Sequence, residues 1–126
     1  MAEELRIPTG SYSRHILLCA DQSNPKCAPR SLTLYAWRTL KDRLSEMGLA
    51  HGDGCVYRSK VNCLRVCEKG PIAVVYPDGT WYHSASGKVL ERILVEHLRD
   101  GNPVEEYIFA RNPLPQPTDQ ALDRSG

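Results

Sequence analysis

The feature that most constrains this chain is a short apolar run followed by a long amphipathic segment. The run HILLC, His15–Cys19, is continuous rather than alternating, which is typical of a strand buried on both faces of a sheet. Over residues 32–47 apolar side chains recur at three- and four-residue spacing, which predicts a helix capped by Ser31 and ended by Gly48. Residues 55–60 then predict a second strand, so residues 15–60 are predicted to form a β-α-β unit.

The second half of the chain predicts a hairpin and another helix. Two β-rich runs, IAVVY and TWYH, flank the turn sequence Pro77-Asp78-Gly79. From Ser86 a second helical pattern continues to Leu98, where Gly101 and a proline end it. The predicted order is β-α-β-β-β-α, an α/β fold with a small mixed sheet and two main helices.

Length and composition indicate one soluble domain with no marked preference for a partner. The chain has 126 residues and a formal net charge of +1, which favours neither a nucleic-acid binder nor a membrane-surface protein. We place the domain at residues 14–109, between a flexible N-terminal tail, 1–13, and a flexible proline-rich C-terminal tail, 110–126. The start MAEELRIPTG has no apolar signal segment, so we expect a cytoplasmic, reducing environment.

Cysteines are the residues most able to carry chemistry in this chain. There are five. Cys19 ends the first predicted strand and Cys27 lies in the following loop, whereas Cys63 and Cys67 share the loop after the second predicted strand. If these strands share a sheet, both loops converge at one end of it and four thiols meet there. Cys55 is expected to pack within its strand, and it is the substitute ligand if Cys27 lies too far from the other three cysteines.

Spacing alone leaves several chemistries open for these four cysteines. Buried filler is a poor interpretation of Cys27, which lies between two prolines, and of Cys63 and Cys67, which lie among polar and charged residues. A thiol-disulfide oxidoreductase normally uses C-x-x-C, whereas this chain has C-x3-C. A structural zinc module satisfies four thiolates, and a 2Fe-2S cluster accepts pairs of unequal spacing on its two irons. Spacing does not decide between the last two.

A combination of motifs resembles a known family. The pattern Cys19-x7-Cys27, a helix, then Cys63-x3-Cys67 followed by EKGPIAVVYPDGTWY, is similar to the bacterial thioredoxin-like, or Shethna-type, 2Fe-2S ferredoxins. More distantly it resembles the 2Fe-2S small subunit of NADH dehydrogenase and bidirectional hydrogenase. The resemblance covers residues 14–107.

The resemblance implies a fold, a cofactor and a function. The fold is thioredoxin-like, and one 2Fe-2S cluster per chain is held by Cys19, Cys27, Cys63 and Cys67. The chain is then a one-electron carrier rather than an enzyme, acting with a redox protein partner and commonly assembling as a homodimer. All-cysteine ligation predicts a low potential, since the histidines that raise Rieske potentials are missing from the ligand set.

Basic residues in and beside the cysteine loops suggest what the redox partner looks like. They are Lys26, Arg30, Arg58, Lys60, Arg65 and Lys69. This positive collar predicts a partner with an acidic docking surface, although a merely solvated basic surface explains the same pattern. The four histidines have no neighbouring ligand at metal spacing, so we expect structural or surface roles for them. The isomer of Pro71, just before the hairpin, stays open.

Overall fold

The computed structural model describes residues 11–20, 28–62, 64–66 and 69–113. It contains five strands and two main helices in this part of the chain. The strands are β1 Tyr12–Cys19, β2 Cys55–Val61, β3 Ala73–Tyr76, β4 Thr80–Tyr82 and β5 Ile108–Arg111. The helices are α1 Arg30–Glu46 and α2 Gly87–Arg92; the latter continues as a π-helical segment, Ile93–Arg99, and a short 3-10 turn, Glu105–Tyr107, precedes β5.

The strands form one mixed sheet in the order β2-β1-β3-β4-β5. β1 and β2 are parallel and joined by α1, whereas all other neighbours are antiparallel. The predicted α/β class, element order and hairpin are therefore confirmed. β5 is an addition that the sequence pattern did not predict.

Both helices pack on the same face of the sheet. Alternate strand residues point into this core, among them Ile16, Leu18, Val56, Ala73, Val75 and Tyr82, against Leu40 and Leu44 of α1 and Leu90 and Leu94 of the second helix. The opposite face carries His15, Leu17, Tyr57, Val74, Tyr76 and Trp81 by the alternation of the pairing. Except for Val74, these side chains are only half-buried, and neither described helix covers them.

The start of α1 differs from the prediction. Ser31 lies inside the helix, which begins at Arg30 after Pro29, and no side chain caps it. The Pro29 carbonyl accepts the N–H groups of Leu32 and Thr33 at 3.0 and 3.2 Å, because proline at φ −58° is already shaped for a helix entry. The other end is as predicted, with Gly48 at φ +74° just after the last turn.

The sheet extends beyond the predicted domain boundaries of 14 and 109. Tyr12 pairs with Cys55 at the start of β1, and β5 continues to Arg111, opposite Thr80. The hairpin turn packs closely against the residue that follows β5. Gly79 has φ +69°, and a Cβ there would collide with the backbone of Asn112. Of the predicted tails, residues 1–10 and 114–126 lie outside the described residues.

A buried polar network joins the second helix to the far end of the sheet. His97 is fully buried; its Nδ1 accepts a hydrogen bond from the Tyr82 hydroxyl at 2.8 Å, and its Nε2 donates to Asp78. Tyr82 in turn accepts the Val104 N–H at 2.9 Å, and Arg14 pairs with Asp78 at 3.1 Å. The expectation of a structural role is met by His97.

Burial and hydrogen bonding move two pKa values in this network. Burial lowers the pKa of His97, and the bond to Asp78 offsets only part of that effect. Burial acts to raise the pKa of Asp78, but the hydrogen bonds from His97 and Arg14 outweigh it and the pKa is lowered. The neutral imidazole and the charged carboxylate are therefore the forms that the fold stabilises.

These shifts predict a loss of stability in mild acid. Because the pKa of folded His97 lies below its ordinary value of 6.5, the unfolded chain takes up a proton first as the pH falls through that value. One such proton contributes at most about 1.4 kcal/mol per pH unit. We expect the thermal midpoint to decrease from pH 7 to pH 5, and the His97→Gln variant to show a flatter dependence.

The exposed His51 provides the control for this measurement. His51→Gln is expected to follow the wild-type pH dependence, because His51 lies on the surface outside the network. Equal slopes for the wild type and the His97→Gln variant would contradict the assignment of His97 as the acid-sensitive group.

Candidate functional site

Cys19 ends β1 in a buried position with a backbone donor on its sulfur. The residue is 1% exposed. Its N–H donates to the Ile72 carbonyl at 3.0 Å, and the Ile72 N–H donates to Cys19 Sγ at 3.1 Å. A hydrogen bond to sulfur stabilises the thiolate form, which is the form that binds metal.

The other predicted ligands belong to connections that leave the sheet at this same end. Ala20 N–H donates to the Val61 carbonyl at 2.9 Å, which joins the ends of β1 and β2. The connection from β1 to α1 contains Cys27, and the connection from β2 to β3 contains Cys63 and Cys67. Those three cysteines lie outside the described residues, so the structure places only Cys19 of the predicted four.

Cys55 lies at the opposite end of the sheet. It begins β2 and pairs with Tyr12, whereas Cys19 pairs with Val61 at the other end of the same parallel ladder. At about 3.3 Å per residue, this separates Cys55 from Cys19 by roughly 20 Å. The side chain is 2% exposed, which agrees with the expected packing role. No group of three or more metal-binding side chains occurs among the residues that the structure describes.

The loop between β2 and β3 has an unusual backbone. Arg65 and Lys69 have φ values of +65° and +55°, in the left-handed region that side chains other than glycine seldom adopt. The Gly70-Pro71 peptide is cis, which answers the question left open by the sequence. Lys69 and Pro71 carbonyls each accept a backbone N–H from the segment after β4, at 2.8 Å. These two bonds attach the end of the loop to the segment that follows β4.

A cleft opens beside this loop. It has a volume of about 230 Å³ and is lined by Val66, Lys69, Ile72, His83 and Phe109. The His83 ring packs edge-on against Tyr107 at 5.7 Å between centroids, and its Nδ1 is 2.9 Å from Ser84 Oγ. Since Ile72 also bonds to the Cys19 sulfur, one residue of the cleft wall contacts that buried thiol.

The basic residues of the predicted collar divide between two places. Lys26 lies outside the described residues. Arg58 lies on the helix side of β2, where its guanidinium lies over the Trp37 ring at 5.9 Å; Lys41 Nζ is at the same distance from that ring. Arg30 begins α1, while Lys60, Arg65 and Lys69 lie at the end of β2 and in the following loop. Arg58 thus contributes to packing as well as to surface charge.

Sequence reasoning missed the donor to Cys19 and the wall of the cleft. The Ile72 N–H is a backbone group, so no residue type signals its direction. His83 and Phe109 come together only because β4 and β5 pair, and β5 itself was not predicted.

Comparison with known proteins identifies 2Fe-2S ferredoxins as relatives. No model of a known protein family matches the chain. The chain is 30% identical over 95 residues to a protein named as a 2Fe-2S ferredoxin in Priestia megaterium, covering 75% of this chain and 68% of that protein. It is 38% identical over 53 residues to a 2Fe-2S ferredoxin of Aquifex aeolicus, covering 42% and 48%. A 2Fe-2S ferredoxin of Clostridium pasteurianum is 36% identical over 47 residues, covering 37% and 46%.

The lengths of these matches differ. The chain spans about half the length of the Aquifex and Clostridium proteins, at 48% and 46%, and more than two thirds of the Priestia protein, at 68%. The Priestia match is therefore the one that carries the relationship across the domain.

Solved structures show the same fold. The thioredoxin-like [2Fe-2S] ferredoxin of Aquifex aeolicus superposes with a TM-score of 0.64 at 23% identity, covering 81% of this chain and 94% of that one. A second structure of that protein gives a TM-score of 0.63. In the described part of the chain, no helix has the length and apolar character needed to cross a membrane. The chain therefore belongs to the 2Fe-2S ferredoxin family and has a thioredoxin-like fold.

Proposed function

We propose that this protein is a one-electron carrier that binds one 2Fe-2S cluster at the end of the sheet where Cys19 lies. The observation that carries the proposal is the buried Cys19 sulfur with the Ile72 N–H aimed at it. Family membership supports the same cofactor, because the relatives are named as 2Fe-2S ferredoxins.

The residues present fit this cofactor. Cys19 brings one sulfur to the sheet end, and the two connections that leave there bring Cys27, Cys63 and Cys67 as the remaining proposed ligands. When bound, the cluster supplies reversible one-electron chemistry at a thiolate-ligated iron. The protein holds the thiolates, donates a hydrogen bond to one of them and limits access of water from the sheet side.

The two alternative functions have less support. A dithiol oxidoreductase would act through Cys63 and Cys67, and a zinc module would use all four loop cysteines without inorganic sulfide. Both leave the 2Fe-2S relatives unexplained.

Two buried cysteines provide a matched test of the ligand assignment. Cys19→Ser is expected to lose most of the visible charge-transfer absorption and bound iron of anaerobically purified protein, because serine is a poor substitute for a buried thiolate ligand. Cys55→Ser changes an equally buried cysteine about 20 Å away and is expected to keep both. Iron loss in the Cys55 variant together with retention in the Cys19 variant would refute the assignment.

We propose further that the redox partner presents an acidic docking surface. The formal net charge of the whole chain is only +1, so the sign of any steering field depends on local groups. Arg30, Lys60, Arg65 and Lys69 all lie at the end of the sheet that holds Cys19. A partner with carboxylates around its redox centre is attracted to this end.

The charge of small oxidants tests this local field. Oxidation of the reduced protein by ferricyanide, a trivalent anion, is expected to slow as salt is raised, whereas oxidation by hexaamminecobalt(III), a trivalent cation, is expected to accelerate. Stopped-flow rates at several ionic strengths provide the measurement. The same salt dependence for both oxidants would show that the collar exerts no field at the redox centre.

We also propose a homodimer formed through the face of the sheet that the described helices leave uncovered. Leu17, Tyr57, Tyr76 and Trp81 on this face are half-buried, and Tyr12 stacks on Tyr57 at 5.1 Å. A partly exposed face that carries this many aromatic and aliphatic residues is typical of a protein interface. A second copy of the same face would cover it.

Sedimentation velocity tests the dimer. The wild-type protein is expected to sediment as a dimer, and Leu17→Lys as a monomer, because the new charge would be buried at the interface. Leu32→Lys, on the helix side, makes the same chemical change at an exposed position and is expected to remain dimeric. A wild-type monomer at micromolar concentration would contradict the proposal.

We place the protein in the cytoplasm on the chemistry of the proposed ligands. Thiolate ligands must be reduced to bind iron, and a reducing compartment maintains that state.

A further inference from the structure

Two of the most exposed apolar side chains in the described part of the chain are neighbours on α1. Tyr35 is 61% exposed and Leu32 is 37% exposed. They are three positions apart, so they lie next to each other on the helix surface. Single exposed apolar residues need no explanation, but an adjacent pair that includes the most exposed tyrosine marks a contact surface.

The topology places this pair at the redox end of the molecule. α1 connects two parallel strands, so it runs back along the sheet, and its C-terminal end meets the start of β2 through the Val56 N–H bond to the Leu49 carbonyl at 2.9 Å. The first turns of α1 therefore lie near the end of β1, where Cys19 is. The helix begins only three positions after Cys27, another proposed ligand.

The same surface is positive. The first turn of α1 holds no acidic residue, and two exposed arginines lie on this part of the helix: Arg38 is one turn beyond Tyr35 on the same side, and Arg30 is at the helix start. The amino end of a helix adds its own positive dipole. Asp42, one turn beyond Arg38, ends the basic stretch.

Arg38 differs from five of the nine arginines in the described part of the chain. Arg14, Arg43, Arg92, Arg99 and Arg111 each have a carboxylate partner within 3.1 Å. In the part of the chain that the structure describes, no carboxylate pairs with Arg38. An arginine that lacks an internal partner and lies beside exposed apolar groups is a common anchor in protein interfaces.

We propose that the exposed face of the first turns of α1, formed by Leu32, Tyr35 and Arg38, is the docking surface for an acidic redox protein. The partner's carboxylates pair with Arg38 while an apolar centre of the partner covers Leu32 and Tyr35, and Arg30 at the helix start adds to the positive field. This inference rests on the proposed electron-carrier function and specifies where the partner binds. Docking here brings the partner's redox group to the sheet end that holds Cys19.

Flavodoxin, an acidic one-electron flavoprotein, is the probe. Its affinity for the oxidised cluster-loaded protein is measured by NMR titration, and its reduction rate by stopped flow. Arg38→Glu and Tyr35→Ser are each expected to weaken binding and slow electron transfer at subsaturating flavodoxin by roughly fivefold or more, the effect of losing an interface anchor. Tyr35→Phe is expected to retain both, because the ring is what the partner covers.

Matched controls lie at the other end of the molecule. Arg99→Glu and Arg111→Glu make the same charge change at exposed positions, at the ends of the π-helical segment and of β5. Both are expected to match the wild type.

The outcomes separate the two proposals. A protein without cluster absorption would overturn the proposed function and this inference with it. A cluster-loaded protein whose flavodoxin affinity and rate are unchanged by Arg38→Glu and Tyr35→Ser, or lowered equally by the controls, would overturn the docking surface alone. Amide shifts confined to residues outside 30–38 would also overturn it.

Discussion

The hydrogen bond from the Ile72 N–H to Cys19 Sγ is the interaction on which the account of this protein depends. It joins the last residue of β1 to the residue just before β3, and the reverse bond from the Cys19 N–H to the Ile72 carbonyl locks the two together. A buried thiol is ordinarily inert because burial disfavours the thiolate. A donor at 3.1 Å opposes that effect and makes the same sulfur suitable as a metal ligand.

The topology of the sheet determines where this hydrogen bond lies in the molecule. Because β1 and β2 are parallel and β3 is antiparallel to β1, the two cysteine-bearing connections leave from one end of the sheet, and the first turns of α1 lie there too. The His97 network stabilises the opposite end, where the second helix meets Asp78 in the hairpin turn. The proposed cluster site and this source of fold stability are thus separated along the strands.

Much of the fold could be predicted from the sequence. Continuous apolar residues before Cys19, the helical spacing in α1 and the Pro77-Asp78-Gly79 turn are strong local signals, and each led to the observed element. Ser31 misled because a serine before an apolar pattern is a common cap, whereas Pro29 already provides the helix entry. β5 was missed because its four residues have no turn signal beside them and gain order from pairing with β4.

The cofactor, unlike the strands and helices, was predicted from a cysteine motif rather than from the periodicity of apolar residues. The cysteine pattern and its family resemblance named the cofactor, and membership of the 2Fe-2S ferredoxins confirms that family. Backbone groups such as the Ile72 N–H, and side chains assembled across strands such as His83 and Phe109, have no sequence signature because tertiary pairing alone brings them together. Cys55 could be set aside as a ligand only when the register placed it at the other end of the sheet.

The presence of the proposed 2Fe-2S cluster is tested by measuring acid-labile sulfide together with iron in anaerobically purified protein. A 2Fe-2S cluster held at the Cys19 end of the sheet predicts equal amounts of iron and inorganic sulfide, about two of each per chain. Protein that contains zinc or no metal, and no inorganic sulfide, would contradict it.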